Sequence, residues 1–288
     1  MSAANADRRS GASGLFVVAT PIGHLSDITL RAVETLKQVQ FVVAEDTRRA
    51  RQLLSHLGIG SKQVLCVDAH ASERQLDQVA ERIASGESCA MVTDAGMPSV
   101  SDPGSALVAA CRARDVPIVV IPGPSAVTAA LAVSGFDVSG FWFVGFLPRK
   151  GEKRERAVQE ICQFTSAVVL FEAPTRVQET LQELALSMPT RPMCVARELT
   201  KQFEEVRVAP LAEWAKTERE WRGELTLVLG PSDDLKADPI ASADLDLLIA
   251  PRLAQGQSPR TVAEELAPLL TVPRRTIYQR ALQLRGER

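Results

Sequence analysis

A chain of 288 residues is too long for a single small core, and its 45% hydrophobic and 24% charged content is that of an ordinary globular protein. A net charge of −2 excludes the global basicity of a protein that coats nucleic acid, so any RNA contact must use a local patch. The five cysteines contain no C-x-x-C and the three histidines no ligand spacing, which argues against a zinc site or a disulfide framework. No stretch reads as a signal peptide or a bilayer span, and a reducing cytoplasm fits this composition.

After a tail expected to be disordered through residue 13, LFVVA reads as a strand, and Ser26-Asp27 can cap a helix over ITLRAVETLKQV. FVVA is a second strand running into EDTRR, and RRARQLLSHLG is a helix closed by Gly58. VLCV is a third strand, and Ser72 with Gln75 forms a capping box that opens a helix carrying Leu76, Val79 and Ile83 on one face. CAMV, a helix begun by Pro103, and PIVVIPG complete five strands alternating with helices, the pattern of a mostly parallel sheet.

A second α/β set follows, with a helix at PSAVTAALAVSG and strands at FWFVGF, AVVLFEA, MCVAREL and ELTLVLG; Thr175-x-x-Gln178 starts one further helix. PSDDLKADP reads as a linker, and beyond it two helices begin at S-P-R-T and T-V-P-R-R. The expected division is an N-terminal α/β domain over 14–123, a second over 124–231, and a helical module over 240–288.

There is no phosphate-binding P-loop, no G-x-G-x-x-G after the first strand and no nucleophile elbow. Instead, polar motifs end the strands: TPIGHLSD, AEDTRR, VTDAGMPSVSDPG, PGPSA, FEAPTR and ARELTK. Six such loops from two half-sheets can converge on one cleft, where cofactor and substrate usually meet. Within VTDAGMPSVSDPG, Asp94 can accept hydrogen bonds from ribose hydroxyls, Gly96 lets backbone approach a ligand, and Pro98 fixes the loop. Asp102 before Pro103 reads as a helix cap. Ser125 and Ala126 open a helix whose free N–H groups can meet a carboxylate, or simply be capped.

With GFLPRKG added, this ordered set of motifs resembles the tetrapyrrole methylase-like S-adenosylmethionine methyltransferases, over about residues 14–232. Within them it is most similar to the bacterial branch, with its helical tail, that 2′-O-methylates a cytidine ribose (position 1402) of 16S ribosomal RNA. The resemblance implies two α/β domains with S-adenosylmethionine in the trough between them and a homodimer; the lack of a ligand cluster implies that no metal is needed. It implies a cofactor set of Pro21, Gly23, Asp94, Gly96, Pro98, Ser125 and Ala126, with Phe171, Ala196, Leu225 and Thr226 as walls. His24 stands where the branch usually has asparagine, and Thr175 where histidine is common.

Methyl transfer to a ribose hydroxyl calls for in-line positioning and for a nearby base. Glu45, Asp46 and Asp27 are the candidate bases, with Glu172 in reserve, and Arg48 and Lys201 can clamp the RNA backbone. E-D-T-R can equally cap the following helix. Two basic segments are candidate RNA contacts. RKGEKRER sets five basic residues (among them Arg149, Lys150, Lys153 and Arg154) against two acidic ones, and residues 258–288 set six arginines, Arg274 and Arg275 included, against three glutamates. The competing functions are a methylase of a corrinoid or porphyrin-type molecule and a non-enzymatic RNA-binding assembly protein.

Overall fold

The computed structural model describes residues 13–99, 104–232, 242–267 and 274–286. They divide into two compact units, one spanning Met1–Cys162 with Ser166–Gly230, the other Gln163–Thr165 with Pro231–Arg288. Both sheets belong to the first unit. No described helix is long and apolar enough to cross a membrane.

The first sheet orders its strands β3-β2-β4-β1-β5, from β1 (Gly14–Val18), β2 (Phe41–Ala44), β3 (Gln63–Cys66), β4 (Ser88–Val92) and β5 (Ile118–Ile121), all parallel. Alternate side chains serve opposite faces, as the two-residue strand period demands. Phe16, Val18, Val42, Ala44, Ala90 and Val92 pack on one side with α1 (Leu30–Gln38) and α2 (Thr47–His56). Leu15, Val17, Phe41, Val43, Cys89 and Met91 pack on the other with α3 (Glu73–Ala84) and α4 (Ser105–Arg112). Burial on both faces is why these strands read as unbroken apolar runs.

The chain leaves β1 toward one edge of this sheet and leaves β4 toward the other, so their adjacent C-terminal ends form a topological switch point. The two loops there are laced together. The Thr20 N–H donates to the Gly96 carbonyl at 2.9 Å, the Gly96 N–H donates back at 3.1 Å, and the Thr20 hydroxyl donates to the Thr93 carbonyl at 3.0 Å. Gly96 has φ +86°, a conformation that costs other residues strain.

Helix boundaries follow local capping, with two departures from the sequence reading. Ser72 and Gln75 form the expected capping box. The first helix, however, is capped by Thr29 rather than Ser26-Asp27, which lie in a short 3₁₀ turn whose cap is His24. Thr175 caps nothing; α7 (Val177–Ser187) is preceded by Arg176 without a side-chain cap. The Asp102–Pro103 cap, the tail before Ser13 and the T-V-P start of the last helix lie outside the described residues, as does most of the 231–239 linker.

The second sheet is mixed rather than mostly parallel. Its order is β6-β7-β10-β8-β9, from β6 (Phe141–Phe146), β7 (Ala167–Glu172), β8 (Pro192–Arg197), β9 (Glu205–Pro210) and β10 (Leu225–Leu229); only β6 and β7 are parallel. The short α5 (Ala126–Val133) covers one face, burying Val127 and Ala130 against Val169, Cys194, Ala196 and Val228. Three elements are absent from the sequence reading: β9, α6 (Glu152–Gln163) and α8 (Leu211–Ala215). The second unit contains α9 (Ser242–Ala254), α10 (Pro259–Leu266) and α11 (Arg274–Gly286), one helix more than expected. They share a core of Leu245, Ile249, Val262, Leu266, Ile277 and Ala281, and Asp246 accepts two hydrogen bonds from Arg280, at 2.7 and 2.6 Å.

Candidate active site

A cavity of about 420 Å³ opens at the switch point. Ligand clefts of roughly 300–1,000 Å³ hold small molecules and cofactors of this class. Its walls come from both sheets. Glu45 leaves β2, Asp94, Ala95, Gly96 and Met97 leave β4, and Ser125, Ala126 and Val127 open α5. From the second sheet, Phe171, Thr226 and Ala196 form one cross-strand row, because Thr226 pairs directly with both others. Phe146 enters beside them, its ring 5.6 Å from that of Phe171. An exposed aromatic beside an apolar strand row offers a flat surface on which a purine can stack.

Eight of the eleven expected cofactor residues line this cavity: Asp94, Gly96, Ser125, Ala126, Phe171, Ala196, Leu225 and Thr226. Pro21, Gly23 and Pro98 do not. Gly23 has a different reason to be glycine, since a Cβ there would lie 2.5 Å from the Thr200 hydroxyl and 2.8 Å from the Leu199 carbonyl. It lets the loop after β1 lie against the ARELTK loop, where the His24 N–H donates to Thr200 Oγ1 at 2.9 Å. Pro21 and Pro98 are buried.

The donor set suits a nucleoside carrying a charged amino-acid end. Asp94 puts carboxylate acceptors on the wall, and Arg49 stands 3.4 Å from it. Ser125 occupies the cap position of α5 yet makes no side-chain capping bond, so the helix terminus keeps N–H groups for a carboxylate. Arg49, Phe146, Leu199 and Glu224 are lining residues that the sequence reading missed. Arg49 was hidden inside a helix start, and Phe146 inside an apolar strand.

The four candidate catalytic residues separate clearly. Glu45 lies on the cavity wall. Asp46 caps α2, accepting the Arg48 N–H at 2.8 Å and a forked pair from the Arg48 guanidinium at 3.1 and 2.7 Å. Those bonds hold its carboxyl far below the usual carboxylate range, which makes it a poor proton acceptor. Asp27 sits exposed in the 3₁₀ turn and is not among the lining residues. Glu172 also lines the cavity, but its side chain is fully buried and already accepts from the Ala173 N–H at 2.8 Å, the Thr180 hydroxyl at 2.8 Å and Arg176 at 3.3 Å. Cap and ion pair therefore account for Asp46, and packing for Glu172.

The basic residues also divide. Arg149, Lys150 and Lys153 are exposed, but Arg154 is buried and corrects the charge count of its segment. Its guanidinium donates to Glu183 at 2.9 Å, Thr180 at 3.0 Å and the Pro148 carbonyl at 3.2 Å. Arg176 donates to the Leu147 carbonyl at 2.7 Å. Arg154 thus anchors the loop from which Arg149 and Lys150 project and is closed to phosphate. Lys201 is held by Glu198 at 2.9 Å and Glu224 at 2.5 Å; burial works against its charge, but these carboxylates outweigh it and raise its pKa. In the helical unit Arg274 pairs with Glu264, while Arg275 is exposed.

A two-lobed α/β unit with a nucleoside-sized cavity at its switch point, walled by an acid, a helix terminus and an apolar strand row, defines a cofactor-dependent transferase of small groups. The chain belongs to the tetrapyrrole (corrin/porphyrin) methylase family, whose pattern it matches over residues 14–215. It is 38% identical over 280 residues to the ribosomal RNA small subunit methyltransferase I of Synechocystis sp., covering 95% of this chain and 99% of that one. To the protein of the same name from Xylella fastidiosa it is 38% identical, covering 92% and 97%. Among solved structures it resembles diphthine synthase (TM-score 0.59, 17% identity, covering 75% of this chain and 89% of that one). It also resembles a Thermus thermophilus uroporphyrin-III C-methyl transferase complexed with S-adenyl homocysteine (TM-score 0.53, 20% identity, covering 75% and 97%). These last two likenesses concern the fold.

Proposed function

We propose that this protein transfers a methyl group from S-adenosylmethionine to the 2′ hydroxyl of a cytidine ribose in 16S ribosomal RNA. The observation that carries this reading is the near full-length identity to small-subunit rRNA methyltransferases, which extends past the family's shared 14–215 segment toward the helical unit. The same reading places the protein in the cytoplasm, acting as a homodimer on the RNA or the assembled small subunit.

The residues fit the cofactor. Asp94 would accept from its ribose hydroxyls, the start of α5 would take its carboxylate, and Phe146 with the Phe171–Thr226–Ala196 row would face its base. When bound, S-adenosylmethionine supplies an electrophilic methyl on a sulfonium. Glu45 then acts as base or orienter for the acceptor hydroxyl, taking its proton as the oxygen becomes the nucleophile. Arg48 stays beside it, clamped by Asp46, and presents charge to the RNA backbone. Among the described residues no group of three or more His, Cys, Asp and Glu is placed to hold a metal ion.

Methyl transfer from tritiated S-adenosylmethionine to undermethylated small subunits, naked rRNA and porphyrin precursors, run in parallel, tests the proposal. Label in the RNA is expected; label in the porphyrin fraction alone would reassign the enzyme.

A further inference from the structure

A second cavity, of about 480 Å³, lies against the first and shares Glu45 and Asp94 with it. Its remaining wall is Asp46, Thr47 and Arg48 from the start of α2, and Cys66, Asp68, Ala69 and His70 from the end of β3. Resting on the methyl-transfer reading above, we propose that this cavity receives the base of the target nucleotide, and that Asp68 selects cytosine by accepting a hydrogen bond from its exocyclic amine.

Three features converge on this occupant. The first is position: an acceptor nucleotide must bring its ribose to the cofactor while its base lies on the far side, and the wall between the two cavities carries Glu45, the base proposed for the ribose hydroxyl. The second is size, since the volume exceeds what a pyrimidine ring needs and leaves room for its ribose. The third is electrostatic. The lining sets four carboxylates, Glu45, Asp46, Asp68 and Asp94, against the one arginine Arg48, which gives it an acidic field. Consistent with that field, burial and then Asp68, Asp46 and Glu45 all push the Cys66 thiol upward. An acidic lining favours a ligand edge that donates hydrogen bonds.

Cytosine presents an amine at the position where uracil presents a carbonyl, and Asp or Glu is the usual acceptor for that amine. Asp68 Oδ1 already accepts the His70 N–H at 2.9 Å, which fixes the carboxylate at the loop's turn. A site built around such a bond discriminates strongly against an analogue that lacks the donor, because carboxylate and carbonyl then face each other.

The test uses the full-length protein, S-adenosylmethionine, and small subunits carrying either cytidine or uridine at the methylated position. Wild type is expected to favour cytidine by at least ~100-fold in kcat/KM. Asp68→Ala should reduce the cytidine rate and shrink that preference at least ~10-fold, with calorimetric cofactor affinity unchanged, and Asp68→Asn, which keeps one acceptor oxygen, should retain part of it. An Asp68→Ala enzyme that keeps wild-type selectivity overturns the proposal, and so does a wild type indifferent to the base. Absence of methyl transfer to either subunit by the wild-type enzyme would instead refute the parent reading.

Discussion

Thr180 is fully buried and its one hydroxyl serves two charges: it donates to Glu172 at 2.8 Å and accepts from Arg154 at 3.0 Å. Thr180→Val keeps the shape and deletes both bonds. A hydrogen bond to a charged group contributes about 1.5–3 kcal/mol, and an unmet buried charge costs more than the bond's net worth. Here each charge keeps other partners, Glu172 the Ala173 N–H and Arg176, Arg154 the Glu183 carboxylate and the Pro148 carbonyl. The expected loss is therefore about 2–4 kcal/mol, a large part of a typical 5–15. In a unit of this size that lowers the unfolding midpoint by roughly 4–16 °C. Calorimetry or urea titration reads it directly, with Thr180→Ser as the control that keeps the hydroxyl and most of the stability. Equal stability of the valine and serine variants would refute the idea that this hydroxyl balances the buried charges, and with it the account of Arg154 as an anchor.

Asp94→Ala should weaken S-adenosylmethionine binding by about 10- to 100-fold in calorimetry, as loss of charge-assisted hydrogen bonds implies; unchanged affinity in a folded variant would return Asp94 to a merely structural partner of Arg49. Glu45→Gln should slow single-turnover methylation by about 10²–10⁴ while both substrates still bind, and a near wild-type rate would exclude Glu45 as the base. Glu205 accepts from Arg219 at 2.7 and 2.8 Å and from Arg197 at 3.2 Å, which, against the opposing effect of burial, draws its carboxyl down to about 2. A folded pKa below the unfolded 4.5 adds stability above that pH and loses it as pH falls toward 2. Glu205→Gln should therefore be less stable than wild type at neutral pH, the gap closing in acid; a gap constant with pH would contradict this.

The first sheet was legible because both of its faces are buried, so LFVVA, FVVA and CAMV stand out as uninterrupted apolar runs. β9 was not. In EVRVAP, Val206 and Val208 alternate with charged residues and remain partly exposed at the sheet edge. The turn before it uses Glu198 and Thr200 at positive φ, where no glycine or proline signals a break. α6 was hidden by its own charge. Its inner face is Arg154, Val158 and Ile161, and a buried arginine at the first of those positions makes a helical stripe look like a solvated run. Within the site, motif residues at strand ends were found because polar groups there break an apolar pattern. Phe146 and Arg49 escaped because strand and helix patterns already accounted for them. Asp46 was ambiguous in sequence, and the bond from the Arg48 N–H decides for the cap.

The central claim is that the methyl goes to a ribose oxygen of one cytidine in 16S rRNA. Small subunits lacking the modification would be incubated with the purified protein and S-adenosylmethionine, the RNA digested to nucleosides, and the products resolved by mass spectrometry. The account predicts a single new species, 2′-O-methylcytidine, at about one per subunit and absent with Glu45→Gln on the time scale of a wild-type turnover. A methyl found on a base carbon or nitrogen, or RNA left unmethylated by an enzyme that binds the cofactor, would contradict it.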